Sequence, residues 1–132
     1  MIFNIDDDCE MAVLELGVSM PGEMDRLVEI ARPETAVMTN IGVSHIGNLG
    51  SRENICAEKG KIIRYFGDNG RLFACGANDL YELIKTNLPY DDCKGECRVS
   101  YYAIKEDFSG DAAQLSYYAD DVEADENGMI FT

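Results

Sequence analysis

Apolar residues in this chain alternate between short continuous runs and helical stripes. Met11 to Leu16 (MAVLEL) is a continuous apolar run broken only by Glu15, which suits a buried parallel strand. A loop punctuated by Pro21 and Gly22 follows. Met24, Leu27, Val28 and Ala31 then recur at helical spacing and predict a helix over Glu23 to Ala31 that Pro33 stops. Ala36 to Thr39 reads as the next strand, and a glycine-rich polar loop runs from Asn40 to Gly50. A helix is expected from about Ser51, which fits the N-cap position, with Glu53 in the first turn. Its apolar face is Ile55, Ile62, Ile63 and Phe66, and Lys59 falls on that same face. A lysine there must lie along the edge of the stripe, pair with a carboxylate, or be chemically changed. The turn signal Gly67-Asp68-Asn69-Gly70 ends the helix. Arg71 to Cys75 is the third strand, and Asn78 is the expected cap of a helix over Asp79 to Asn87 that Pro89 stops.

Strand, loop and helix thus recur in order, which means an α/β domain built on a parallel sheet. Ligands of such sheets gather at the carboxyl ends of the strands. Glu15, Asn40 with His45, and Asn78 with Asp79 all follow strands directly, so one rim of the sheet should carry them. After Pro89 the pattern changes. Arg98 to Ile104 and Gln114 to Ala119 alternate and are rich in tyrosine, and a turn at Glu126-Asn127-Gly128 precedes Met129-Ile130-Phe131. These read as strands joined by hairpins, an antiparallel extension of the sheet. The expected division is a parallel α/β part over 1–89 and a hairpin extension over 90–132.

Composition narrows the function classes. The 132 residues hold 46% hydrophobic positions, enough for one core. The net charge of −14 argues against a broad basic nucleic-acid surface and suits a site that collects divalent cations. No apolar run reaches the about 18 residues of a membrane span and no signal peptide is evident, so a cytoplasmic protein with free thiols is expected for the five cysteines. Cys93 and Cys97 form a C-x3-C pair, but no second pair or neighbouring histidine completes a zinc set.

AVLELGVSMPGEM, AVMTNIGVSHIGNLGS and AEKGKI stand in this order in the chain, and together they resemble the central ATPase domain of the Mur ligases. The opening IFNIDDDCEMAVLELG fits the same pattern, and the resemblance runs from about Ile2 to Asn87. Within the family, the LELG-x3-PGE block is most similar to members that add D-alanyl-D-alanine to a UDP-MurNAc-tripeptide in peptidoglycan precursor synthesis. The implied fold is a three-layer, Rossmann-like, P-loop-type parallel sheet. The implied activity is ATP-dependent, magnesium-assisted amide formation through an acyl phosphate. Carried over by position, the resemblance makes Glu15 and His45 magnesium ligands. Lys59 becomes the lysine that family members carbamylate, Asn40 an orienting residue beside the histidine, and Asn78 and Asp79 a block near the nucleotide.

The departures are specific. The G-x-x-x-x-G-K-[ST] phosphate loop is absent; Gly60-Lys61 does not supply it, because Ile55 stands where its first glycine belongs. The G-x-H-N motif on the adenine side and the flanking sugar-binding and amino-component domains are absent too. The chain is therefore expected to be a partial central domain, inactive alone, with Lys59 unmodified, and able to self-associate through exposed sheet edges. Two alternatives stay open: another Mur-like ligase of the folylpolyglutamate or cyanophycin synthetase type, which the LELG-x3-PGE block counts against, and a non-catalytic interaction domain of the same fold.

Overall fold

The computed structural model describes residues 8–125 and 128–132. The acidic opening at Asp6 and Asp7 and the turn residues Glu126 and Asn127 lie outside the described residues. Along the chain come α1 (Glu23–Ala31), β1 (Thr35–Met38), the short α2 (Ile46–Leu49) and α3 (Arg52–Gly60), which tightens into a 3-10 turn at Lys61–Ile63. Then follow β2 (Gly70–Cys75), α4 (Leu80–Asn87), β3 (Cys97–Ile104), β4 (Leu115–Ala119), β5 (Glu123–Asp125) and β6 (Gly128–Ile130). β1 to β4 form one sheet in sequence order, and every neighbouring pair is parallel.

The sheet turns Ala36, Met38, Leu72, Ala74 and Tyr101 inward, where they meet Ile55, Cys56, Ile63 and Phe66 from the α3 segment and Ile84 from α4. Leu72, Ile63 and Ile84 are fully buried, and each such side chain stabilises the fold by about 1.5–3 kcal/mol. α1 adds a second, smaller cluster of Val18, Met24 and Val28 that joins the first through Ile62. Ser51 caps α3 as its sequence position implies, its hydroxyl accepting from the Asn54 amide at 3.2 Å. At the far end of β2, Gly76 lets the Phe108 ring close in; a Cβ there would stand 2.6 Å from it. Phe108 and Tyr101 both pack edge-on against Tyr81, with centroids 5.1 and 4.8 Å from its ring.

Three local expectations differ from the structure. The run Met11 to Leu16 forms no strand: Met11 and Val13 are 82% and 91% exposed, and the run pairs with no strand among the described residues. An extended segment becomes a strand only where a neighbour takes its amides and carbonyls; here only its end is anchored, by Leu16 against the α1 cluster. β3 and β4 are not hairpin strands but extend the parallel sheet, and the antiparallel part is confined to the β5–β6 pair. The chain returns between β3 and β4 through two 3-10 turns, with Phe108 packed back onto the core. The alternation that suggested hairpins reports one covered face and says nothing of strand direction. Finally, Asp79 and not Asn78 precedes α4, and its carboxylate does not cap the helix, because an arginine occupies it.

Candidate functional site

The carboxyl end of β1 is where the separated motifs meet. The chain leaves β1 through Thr39 and Asn40 and buries Ile41 completely. Two long side chains from α3 grip this exit. Lys59 reaches back along the helix face and donates from Nζ to the Asn40 carbonyl at 3.0 Å. Arg52 donates from Nε and Nη2 to the Ile41 carbonyl at 3.2 and 3.0 Å. The same guanidinium donates to both carboxylate oxygens of Asp79, at 2.5 and 3.2 Å, so it ties the end of β1 to the start of α4. That hydrogen bond holds the Asp79 carboxyl below its usual range.

Lys59 is half-buried beside a cavity of about 80 Å3 lined by Leu16, Met24, Val37, Asn40 and Ile62 among others. A lysine on the apolar stripe is thus accommodated by letting its stem line a small gap while the amine finds a carbonyl. Glu15 is exposed and directly precedes Leu16, which lines this cavity. His45 is exposed and takes a left-handed backbone, φ 64°, at the start of α2. Residues with a side chain rarely adopt that conformation, and Asn78, φ 54°, does the same before α4. Both are residues the sequence singles out.

The segment after Glu15 reaches His45. Ser19 Oγ lies 3.5 Å from His45 Nε2, and the Ser19 carbonyl accepts from Asn48 Nδ2 at 3.1 Å. The Glu23 carboxylate accepts from the Ser19 and Met20 amides at 2.6 and 3.0 Å, and these amides hold its pKa low. The structure therefore brings Leu16, Asn40 and Lys59 together at the carboxyl end of β1, sets Ser19 beside His45, and ties Asp79 to the same strand end through Arg52; Glu15 and His45 are both exposed.

Among the described residues, no three His, Cys, Asp or Glu side chains converge to form a metal cage by themselves. Cys93 and Cys97 remain free thiols. Glu15 and His45 offer one carboxylate and one imidazole, both open to solvent. The Glu15 carboxylate is the kind of hard oxygen ligand that magnesium takes alongside waters and substrate phosphates, whereas the His45 imidazole is a ligand type more usual for transition metals.

The sequence gives no sign of the Arg52 bridge, and a second group, Glu58, is as well hidden. Glu58 is the single buried charged side chain among the described residues, 5% exposed. Its Oε1 accepts from the Gly22 and Met24 amides at 2.9 and 3.1 Å, and its Oε2 accepts from Lys61 Nζ at 2.7 Å. Burial pushes its pKa up, but Lys61 and the two amides outweigh burial and the net direction is down. Lys61 also pairs with Asp25, which meets Arg64, which meets Asp92. The i, i+3 spacing of Glu58 and Lys61 was the only sign of this in the sequence; the contact with α1 leaves none.

The family model for the Mur ligase middle domain matches residues 1–131. The chain is 33% identical over 131 residues, 99% of its length, to the UDP-N-acetylmuramoyl-tripeptide–D-alanyl-D-alanine ligase of Bacillus subtilis. The enzyme of the same name from Treponema pallidum is 34% identical over 67% of the chain, and that from Borreliella burgdorferi is 40% identical over 54%. The chain spans 25%, 19% and 15% of these three relatives. No solved structure matches the chain.

Proposed function

The chain belongs to the Mur ligase family, as its middle domain, and from that premise we propose that it is part of an ATP-dependent ligase joining D-alanyl-D-alanine to UDP-MurNAc-tripeptide. On this reading the chain is a partial central domain. It works in the cytoplasm in peptidoglycan precursor synthesis, and the phosphate loop and the substrate-gripping domains lie elsewhere in the enzyme. The observation that carries it is the meeting of three distant motifs at one strand end: Lys59 held at the Asn40 carbonyl, and the Glu15 segment clipped beside His45 through Ser19.

Glu15 and His45 would hold magnesium, which neutralises charge on the transferring phosphoryl group. The other residues position. Asn40 fixes the Lys59 amine through its carbonyl, which suits carbamylation because a carbamate keeps an N–H for that bond. In this chain by itself Lys59 is an unmodified amine. Asn78 stands toward the nucleotide side, while Asp79 acts through Arg52 to hold the start of α4 against the end of β1. Transfer of the ATP γ-phosphoryl to the substrate carboxylate gives an acyl phosphate and ADP; the incoming amine then attacks the acyl carbon and phosphate leaves, chemistry that asks for placement and charge stabilisation more than for protein nucleophiles. No helix among the described residues is long and apolar enough to cross a membrane. β1 and β4, the sheet edges among the described residues, are where the isolated chain would self-associate.

The test is product formation by the full-length enzyme given ATP, magnesium, UDP-MurNAc-tripeptide and D-alanyl-D-alanine. Expected are the pentapeptide product, ADP and phosphate, with turnover reduced at least about 100-fold by Glu15→Ala or His45→Ala, as for removal of a charge-stabilising group. Full activity in both variants, or no product from these substrates, contradicts the reading. The isolated chain is expected to form none.

A further inference from the structure

We propose that Glu58 is a positioning residue of this site, fixing the loop over residues 17–22, and through it the surroundings of His45, relative to Lys59. The proposal rests on the site assignment above. Glu58 and Lys59 are consecutive on α3 yet serve different partners. Lys59 goes to the end of β1; Glu58 goes to the start of α1, which has no side-chain cap of its own. Helix starts leave amides without partners, and Glu58 supplies the acceptor for two of them from another helix.

From there the connection continues. Glu23, in the first turn of α1, takes the Ser19 and Met20 amides, and Ser19 stands against His45 and Asn48. Hydrogen bonds alternating with short stretches of covalent chain thus lead from the helix that carries Lys59 to the imidazole of His45. Burying a carboxylate is costly, and an apolar residue at position 58 would serve packing as well or better. What an apolar residue cannot do is hold the loop by its amides at a fixed distance from Lys59. A group of this kind matters because small displacements of positioning residues cost catalysis heavily.

The experiment is NMR of the chain. His45 is its only histidine, so the ring signals need no assignment. In Glu58→Leu, amide exchange at Gly22 and Met24 should rise at least about tenfold, the loss expected for a charge-assisted hydrogen bond. The Ser19 amide and the His45 ring should shift with them. Glu58→Gln, which keeps an acceptor for both amides, should return the His45 ring toward its original position. If Gly22 and Met24 change while Ser19 and His45 stay in place, Glu58 merely caps α1 and the proposal is wrong. Should Glu58→Leu fail to fold, Glu58→Asp decides on the same readout, because it keeps the charge but shortens the reach. Unmoved His45 signals in a folded Glu58→Asp overturn the proposal. Mn2+ added to the unsubstituted chain tests the metal assignment separately. Failure to broaden His45 counts against that assignment and leaves the displacement experiment to judge Glu58.

Discussion

Gly60 closes α3 directly after Lys59, and replacing it with alanine sets two effects against each other. Its backbone is ordinary right-handed helix, φ −61° and ψ −24°, so propensity alone favours alanine by about 1 kcal/mol. Yet a Cβ at this position would stand 2.6 Å from Pro89 Cδ and 2.9 Å from Leu88 Cδ1, where carbon atoms pack at about 3.5–4.0 Å. The proline ring cannot rotate away, and Leu88 is buried. Overpacking of this kind costs about 1–3 kcal/mol, and two contacts against a rigid ring belong at the upper end. The net expectation is a loss of about 1–2 kcal/mol, the difference between the packing cost and the propensity gain. Gly47 in α2 is the control: its Cβ would meet nothing within 4 Å, so Gly47→Ala should gain up to about 1 kcal/mol. Thermal unfolding followed by far-UV circular dichroism reads both. For a chain of this length about 1 kcal/mol corresponds to roughly 3–4 °C, so Gly60→Ala should melt about 4–7 °C lower and Gly47→Ala slightly higher. Gly60→Ala as stable as the parent, or both variants moving together, refutes the argument.

Three further outcomes follow from local geometry. Arg52 keeps the folded-state pKa of Asp79 low, so the stability this pair contributes is present above the unfolded value of about 3.9 and is lost as pH falls through the folded value. The denaturation midpoints of the parent and Asp79→Asn should differ by a constant amount above about pH 5 and converge toward pH 3 and below; a gap that widens in acid contradicts this. Burial pushes the Cys56 and Cys97 thiols up to about 11, leaving about 100-fold less thiolate at pH 8 than an ordinary thiol. Exposed Cys9 should therefore label first with a thiol reagent, and equal rates for Cys56 in the folded chain would refute the burial argument. Ser51→Ala removes the α3 cap and should cost about 1 kcal/mol, read as a lower urea midpoint; an unchanged midpoint contradicts the role given to the 3.2 Å bond.

The α/β class was legible because its signals are local. Met24 and Val28 at helical spacing, Pro33 after the helix, and Ser51 as a cap each act within one element, and α1 and the start of α3 fall where they predict. Strand direction was not legible, since Arg98 to Ile104 alternates identically whether its neighbours run parallel or antiparallel. Met11 to Leu16 failed for a related reason: its pattern says that it could be buried, but a strand also needs a partner. At the site, Lys59 announced itself as a charge on an apolar stripe, and His45 as the only imidazole in the chain. Glu58 and Arg52 did not, because each bridges elements far apart in sequence and only the fold brings their partners close.

The most direct test of the central claim, that Glu15 and His45 share a divalent cation at the end of β1, is a titration of the isotopically labelled chain with Mn2+ in place of magnesium. A competing acidic cavity of about 700 Å3, lined by Glu106, Asp107, Asp120, Asp121 and Glu123, gives the experiment two distinct answers. The account predicts that signals of residues 15–19 and the His45 ring broaden first, and that Glu15→Gln abolishes this. Broadening that begins at residues 106–107 and 120–123 while His45 stays sharp would contradict it.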